Sequence, residues 1–341
     1  MLRRKNLAKL IIGTIGMLAL PLAASAAGDI CYLRDASAPS PATAYLLCGQ
    51  GMVYTTSDSG GHWAMKKVGG VPDLQAITFM DDTHGLVVGK SGTILATADG
   101  GKTWQKRLDD KQKPLTTEHL LTIQAIGNLA WTSGFDGIIL HSIDGGLTWA
   151  KQDSGTTMAL EGLYFLNRDL GWAVGWSGCI LRTTDGGKKW QAITSPAATW
   201  SLNSVYFRDE RNGWAVGFAG ELLASHDGGL TWEVLKSPVQ SSLSSVSLDK
   251  SGRLWIAADE QLLLSEDGGQ TWKVAKVDSN LFLSKVFGKG DSLWALGELG
   301  LLRQVGSTTN WKRDENFVPA GTFIADSLES ETSGPQSATQ K

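Results

Sequence analysis

An eight-residue motif, with an aspartate and two glycines before a closing tryptophan, recurs along this chain every 39 to 45 residues. Six copies are nearly complete: TSDSGGHW at 56–63, TADGGKTW at 97–104, SIDGGLTW at 142–149, TTDGGKKW at 183–190, SHDGGLTW at 225–232 and SEDGGQTW at 265–272. A seventh copy at 306–311 keeps little more than Trp311. A fixed period of this length, filled with short alternating segments, predicts a radial array of small sheets.

One repeat shows how each sheet is built. LEGLYF at 160–165 is a β-rich run, WAVG at 172–175 is a continuous apolar run, and CILRTT at 179–184 alternates apolar and polar residues. Turns rich in glycine and aspartate separate these runs, and a last strand is expected to start near Trp190. No segment has the period of a long amphipathic helix. The sequence therefore predicts an all-β, seven-bladed β-propeller of four-stranded antiparallel blades, in which the octet is the turn between the third and fourth strands.

The octet aspartates could be mistaken for catalytic carboxylates or calcium ligands. They are Asp58, Asp99, Asp144, Asp185, Asp227 and Asp267. A single active site would not need a copy in every blade, whereas a tight turn does need a side-chain acceptor and glycines with positive φ. We interpret these residues as structural.

The octet resembles the Asp-box, or bacterial neuraminidase repeat. The longer pattern GWAVGWSGCILRTTDGGKKW at 171–190 is similar to the seven-bladed propellers of the photosystem II stability and assembly factor family. The resemblance extends over about residues 45–313. It implies a non-enzymatic scaffold that binds a protein partner as an assembly or stability factor for a membrane-associated complex. Asp-boxes also occur in glycosidases, so the resemblance is more specific for fold than for function.

Members of that family that serve photosystem II carry an arginine-rich patch in the middle-to-late blades. In this chain residues 240–300 contain one arginine, Arg253. We therefore expect the partner to be a different membrane complex, such as a transporter of a bacterial envelope.

Both ends of the chain differ from the repeats. Residues 1–26 have a basic start, an apolar stretch from Leu10 to Leu22 and an Ala-Ser-Ala cleavage pattern at 24–26. This is the pattern of a secretory signal peptide cleaved after Ala26, which predicts a periplasmic or secreted protein with no membrane span after cleavage. The propeller is expected over 27–324, and the polar segment 325–341 is expected to be a disordered tail.

Charge and cysteine content narrow the possible partners and the compartment. The net charge is −3, and no basic stripe is interleaved with aromatic residues, so we expect no nucleic-acid partner. No histidine or cysteine has metal-ligand spacing, so we expect no metal and no cofactor. In an oxidising compartment Cys31 and Cys48 are the natural disulfide pair, which links the N-terminal strand to the second strand of blade 1. We expect their bond to reinforce the seam where the ring closes.

Most of the fourteen tryptophans belong to the repeat. Seven close the octets. Five share one position of the second strand: Trp131, Trp172, Trp214, Trp255 and Trp294. The two others, Trp176 and Trp200, fall in a strand 2–3 turn and in a connection between blades, which lie on one face of a propeller. Phe135 and Phe218 occupy turns equivalent to that of Trp176, so we predict a partner-binding aromatic cluster on blades 3 to 5. In the alternative, Trp200 packs between blades and the two phenylalanines cap their own hairpins.

The first strands should line the central channel. Strand alternation makes Lys285 the only charged residue that faces the axis and points Glu161 elsewhere. A glycosidase needs two carboxylates, or a tyrosine and a glutamate, that converge at the scissile bond. The sequence does not predict such a pair. The alternative function is a carbohydrate-active protein, either an exo-glycosidase or a sugar-binding module with Trp176 and Trp200 as stacking platforms.

Overall fold

The computed structural model shows seven sheets of four strands, arranged in a ring. The described residues are 31–69, 73–109, 111–196, 200–275, 277, 280–306 and 308–319. The expected signal peptide at 1–26 and the expected tail at 325–341 lie outside them. In the described part of the chain no helix has the length and apolar content to cross a membrane.

The first four blades follow one another along the chain. Blade 1 consists of β1 (Leu33–Ser37), β2 (Ala44–Cys48), β3 (Met52–Thr56) and β4 (Ala64–Lys67). Blade 2 consists of β5 (Leu74–Phe79), β6 (Gly85–Gly89), β7 (Ile94–Thr97) and β8 (Gln105–Lys106). Blade 3 consists of β9 (Leu120–Ile126), β10 (Leu129–Gly134), β11 (Ile139–Ser142) and β12 (Ala150–Gln152). Blade 4 consists of β13 (Leu160–Phe165), β14 (Gly171–Gly175), β15 (Ile180–Thr183) and β16 (Gln191–Ala192).

The last three blades have the same order. Blade 5 consists of β17 (Leu202–Phe207), β18 (Gly213–Gly217), β19 (Leu222–Ser225) and β20 (Glu233–Val234). Blade 6 consists of β21 (Leu243–Leu248), β22 (Leu254–Ala258), β23 (Gln261–Ser265) and β24 (Lys273–Ala275). Blade 7 consists of β25 (Leu283–Lys289), β26 (Ser292–Gly297), β27 (Gly300–Gln304) and β28 (Trp311–Arg313). All neighbouring strands within a blade are antiparallel, which confirms the predicted fold class.

The core lies between successive blades, and the second-strand tryptophans fill it. Trp172 of blade 4 is 0% exposed and stacks on Phe207 of blade 5, with ring centroids 3.4 Å apart. Its indole Nε1–H donates to the carbonyl oxygen of Gly228, which belongs to the octet of blade 5, at 3.0 Å. Trp131 of blade 3 donates in the same way to Gly186 of blade 4, at 3.1 Å. Each of these octets therefore covers the tryptophan of the preceding blade.

The second glycine of the octet is required for this close approach. Gly229 has a φ of +83°, and a Cβ added there would lie 2.4 Å from the Trp172 Nε1. A side chain at this position would combine a left-handed backbone with a steric clash, so glycine is the residue that fits.

The ring closes without exchanging a strand between the terminal blades, because each blade is one continuous segment of chain. The Leu33 N–H donates to the Glu298 carbonyl oxygen at 2.9 Å, and the Lys285 ammonium forms an ion pair with Asp35. The segment after β28 returns to blade 1, where the Phe317 ring packs edge-on against Tyr54, with centroids 5.0 Å apart. A backbone hydrogen bond, an ion pair and apolar packing therefore hold the first and last parts of the ring together.

A disulfide joins Cys31, just before β1, to Cys48 at the end of β2. It lies within blade 1 and does not itself link blade 1 to blade 7. Both cysteines are fully buried in a core cluster that also contains Trp294 and Leu301 of blade 7. The disulfide therefore fixes the blade 1 side of the interface between blades 1 and 7.

Replacing Cys31 and Cys48 by serine is expected to lower the free energy of unfolding by about 2–3 kcal/mol. The sequence separation of 17 residues closes only a short loop, which places the effect in the lower half of the usual range. Chemical denaturation of the wild-type protein and the double variant measures the loss. Peptide mass spectrometry without reduction should find the two cysteines linked, and two free thiols would contradict this account.

Candidate interaction face

Tight turns between the second and third strands present aromatic side chains at one end of blades 3, 4 and 5. Each is a single 3-10 turn: Phe135–Gly137, Trp176–Gly178 and Phe218–Gly220. In blade 4 the Cys179 N–H donates to the Trp176 carbonyl at 3.1 Å, and Ser177 has a φ of 55°. Because the backbone closes on itself, the first residue of the turn projects to solvent, leaving Trp176 48% and Phe218 52% exposed. Phe135 is half-buried.

Trp200 lies beside these turns, in the connection from blade 4 to blade 5. Its carbonyl oxygen accepts a hydrogen bond from the Gly178 N–H at 2.7 Å, which ties the connection to the turn of Trp176. The Trp200 side chain is 46% exposed, so it is not buried between blades.

The four aromatic residues form two ring pairs on the same face. Phe135 and Trp176 have centroids 5.9 Å apart, and Trp200 and Phe218 have centroids 5.6 Å apart. His119 also stacks on Phe135, with ring centroids 5.4 Å apart, and this contact contributes to the lower exposure of that phenylalanine. The structure thus brings together Phe135, Trp176, Trp200 and Phe218, and we call this set the aromatic face.

Glu161 joins the two ring pairs. One carboxylate oxygen accepts the Trp176 indole N–H at 2.6 Å, and the other accepts the Ser201 hydroxyl at 3.0 Å. A β-bulge between Leu160 and Gly162 takes Glu161 out of the regular alternation of the strand. Most of the first strands have this irregularity at the same point, a signal that hydrophobic patterning does not show.

The channel contains more charge than expected. Besides Lys285, its lining includes Arg34, Asp35 and Glu161, around a cavity of about 450 Å³. Both carboxylates are held by donors of the protein itself: Asp35 accepts the Ile77 N–H at 2.8 Å and pairs with Lys285, and Glu161 is bound as described above. Carboxylates fixed in this way are poorly placed to act as the acid and base of a glycosidase.

Tyr164 also lines the channel, and its ring centroid lies 5.0 Å from that of Tyr206. Burial raises the pKa of both Tyr164 and Tyr206. A raised pKa opposes the phenolate form that a tyrosine nucleophile requires.

Hydrogen bonds within each octet satisfy the carboxylate of its aspartate. In every octet one aspartate oxygen accepts the Ser or Thr hydroxyl two residues earlier, at 2.8–2.9 Å, and the N–H four residues later, at 2.9 Å. These aspartates are Asp58, Asp99, Asp144, Asp185, Asp227 and Asp267. Within the described ranges no group of three or more His, Cys, Asp or Glu side chains is placed to hold a metal ion. The octet aspartates therefore stabilise their own turns through these hydrogen bonds.

These bonds predict a loss of stability in acid. The hydroxyl and N–H of Thr271, with the Ser265 hydroxyl, lower the pKa of Asp267 to about 2. A carboxyl with a lower pKa in the folded state stabilises the fold above its unfolded value of about 3.9 and loses that contribution as pH falls toward the folded value. The denaturation midpoint should therefore stay level down to about pH 5 and fall between about pH 4 and 2. A decline that begins near neutral pH would contradict this assignment.

Comparison with known proteins adds family and fold relationships to this geometry. Two overlapping stretches, residues 63–159 and 147–239, match the family model described as photosynthesis system II assembly factor YCF48. YCF48 from Cyanidioschyzon merolae has a similar structure, with a TM-score of 0.64, 20% identity and coverage of 79% of this chain and 93% of that one. The structure described as YCF48 bound to D1 peptide gives a TM-score of 0.58, 23% identity and coverage of 71% and 80%.

The fold is also shared with an enzyme. Virginiamycin B lyase from Staphylococcus aureus gives a TM-score of 0.67 at 11% identity, over 79% of this chain and 92% of that one. At such identities the likeness concerns the fold alone. None of the curated proteins compared with this sequence matches it. The two stretches that match the family model together cover more than half of the chain, and the protein therefore belongs to the photosynthesis system II assembly factor YCF48 family.

Proposed function

We propose that this protein is a non-enzymatic scaffold that binds a protein partner through the aromatic face and serves as an assembly or stability factor for a membrane-associated complex. The observation that carries the proposal is the exposure of Trp176, Trp200 and Phe218, each about half open to solvent on a rigid turn or a tethered connection. Clustered exposed aromatic residues are typical of protein interfaces, where they provide a large contact area at a low cost in conformational entropy.

Family membership supports a protein ligand, since one similar structure is described as bound to a peptide, D1. For the present chain we propose a different client, a membrane complex such as a transporter in a bacterial envelope. Residues 240–300 contain only Arg253 as arginine, and that side chain forms an ion pair with Asp249 of its own blade. It is thus not part of an arginine-rich surface.

We also propose that the protein works outside the cytoplasm, in the periplasm or after secretion. The support comes from the Cys31–Cys48 disulfide and from the signal-like segment at 1–26. Structural disulfides persist in oxidising compartments.

Sugar binding is the second candidate, and one observation favours it. The exposed Trp176 ring lies beside the Glu161 carboxylate, which combines a flat apolar platform with a hydrogen-bond acceptor. Such pairs can also hold a sugar ring. Hydrolysis is less favoured, because Glu161 and Asp35 are already bound by protein donors.

The test is affinity capture from a bacterial envelope extract with three immobilised proteins: wild type, Trp176→Ala/Trp200→Ala and Leu147→Ala. Leu147 is a matched control, because it is 58% exposed but lies in an octet turn, on the other face. We expect one dominant membrane protein with wild type and Leu147→Ala, and its loss with the double variant. Recovery of abundant bystanders alone would contradict the proposal, and a strong signal on a glycan array would favour the second candidate.

A further inference from the structure

The segments that build the aromatic face carry negative charge only. They are residues 115–119, 135–138, 153–161, 176–179, 193–196, 200–201 and 218–221. Together they contain five carboxylates and no lysine or arginine: Glu118, Asp136, Asp153, Glu161 and Glu221. Lysines lie outside these segments. Lys90 opens the equivalent turn of blade 2 and pairs with Asp73, and Lys113 and Lys236 lie in the connections that enter blade 3 and leave blade 5.

One of these carboxylates contacts an aromatic ring, and two others belong to residues in or next to the aromatic turns. Asp136 follows Phe135 within the same turn and is exposed. Glu161 accepts the indole N–H of Trp176. Glu221 comes just after the Phe218–Gly220 turn, and its N–H donates to the Phe218 carbonyl at 3.1 Å. Each ring pair therefore has a carboxylate close to it.

Within the described residues, none of the five carboxylates forms an ion pair with a lysine or arginine. The opposite face differs, because there Asp169 pairs with Arg168 and Asp209 pairs with Arg208. The octets on that face also contain Lys102, Lys188 and Lys189. The absence of lysine and arginine from its own segments thus distinguishes the aromatic face from the opposite one.

We propose that the aromatic face recognises a basic segment of its partner, whose lysine or arginine side chains stack on the exposed rings while the surrounding carboxylates bind their charge. This inference rests on the proposed function and specifies the chemistry of the partner. A cation over the face of a tryptophan or phenylalanine is attracted by the ring quadrupole. A guanidinium that also bonds a carboxylate gains a second, charge-assisted contact.

The same charges disfavour other ligands. An acidic peptide would bring like charges together without a nearby lysine or arginine from these segments to offset the repulsion. An anionic lipid surface would be repelled for the same reason. The charge of the face would also increase the rate at which a basic partner approaches, and salt would weaken that effect.

A phage-displayed library of random dodecapeptides tests the inference on the folded protein. Phages are selected on wild type after removal of those that bind Trp176→Ala/Trp200→Ala. We expect the retained peptides to be enriched in lysine and arginine relative to the input library. For a representative synthetic peptide, we expect about tenfold weaker binding when NaCl rises from about 50 to about 300 mM.

A charge-matched pair of variants locates the effect. Glu161→Gln keeps an acceptor for the Trp176 indole but removes a charge from the aromatic face, whereas Asp169→Asn removes a charge from the opposite face. We expect Glu161→Gln to weaken binding of the peptide about tenfold, and Asp169→Asn to leave it within about twofold.

Three results would overturn the inference: enrichment of neutral or acidic peptides, no enrichment at all, or equal effects of the two charge variants. The proposed function and this inference are contradicted by different results. If the envelope partner is lost with Trp176→Ala/Trp200→Ala but the peptides show no preference for positive charge, the binding face stands and only its assigned chemistry is wrong.

Discussion

Replacing Trp172 by alanine is expected to lower the free energy of unfolding by about 3–5 kcal/mol. The side chain is fully buried, stacks on Phe207 and donates its indole N–H to Gly228. Alanine would leave a cavity between blades 4 and 5 and would leave the Gly228 carbonyl without this donor. Both losses act on one interface between blades, so the variant should unfold more easily while its secondary structure at low temperature stays that of a propeller.

Equilibrium denaturation, followed by circular dichroism, measures this loss. Leu147→Ala is the control, because truncation of an exposed side chain is expected to change the free energy of unfolding by no more than about 0.5 kcal/mol. A cost below about 1 kcal/mol for Trp172→Ala would mean that the cavity collapses or that the tryptophan is not the key packing residue between these blades.

Truncation of Trp176 or Trp200 should have the opposite signature. Each variant is expected to weaken partner binding by about 2 kcal/mol, the usual cost of removing a hot-spot side chain. Stability should stay within about 0.5 kcal/mol of wild type, because both side chains are about half exposed and lie outside the buried clusters.

Thermal melts and titration calorimetry with the captured partner give the two quantities. If Trp176→Ala destabilises the fold as much as Trp172→Ala does, Trp176 is a core residue and the aromatic face loses its main support. If both variants bind the partner as wild type does, the interface lies elsewhere on the propeller.

Much of the fold was predictable because the repeat is regular. In blade 4 the run at 160–165 is β13, and the apolar run at 172–175 lies within β14. The octet fell between the third and fourth strands as expected. The positions of Trp176 and Trp200 on one face follow from the same logic, since all strand 2–3 turns and all connections between blades emerge together.

Other features depend on details that a period does not encode. The orientation of Glu161 is set by a β-bulge, and a one-residue irregularity reverses the side on which a strand residue points. The return of Phe317 onto Tyr54 involves a segment outside the repeat, so no equivalent position predicted it. The Cys31–Cys48 pair and its place next to the second strand of blade 1 could be proposed from the sequence, whereas its packing against Trp294 of blade 7 depends on how the ring closes.

Photo-crosslinking tests the central claim, that the partner sits on the aromatic face, most directly. A benzophenone amino acid is introduced at Phe218 in one variant and at Leu147 in another, two positions with similar exposure of 52% and 58% on opposite faces. Irradiation in an envelope extract should give one discrete adduct with a membrane protein from position 218, and none from position 147. An adduct from position 147 alone, or equal adducts from both, would contradict the account.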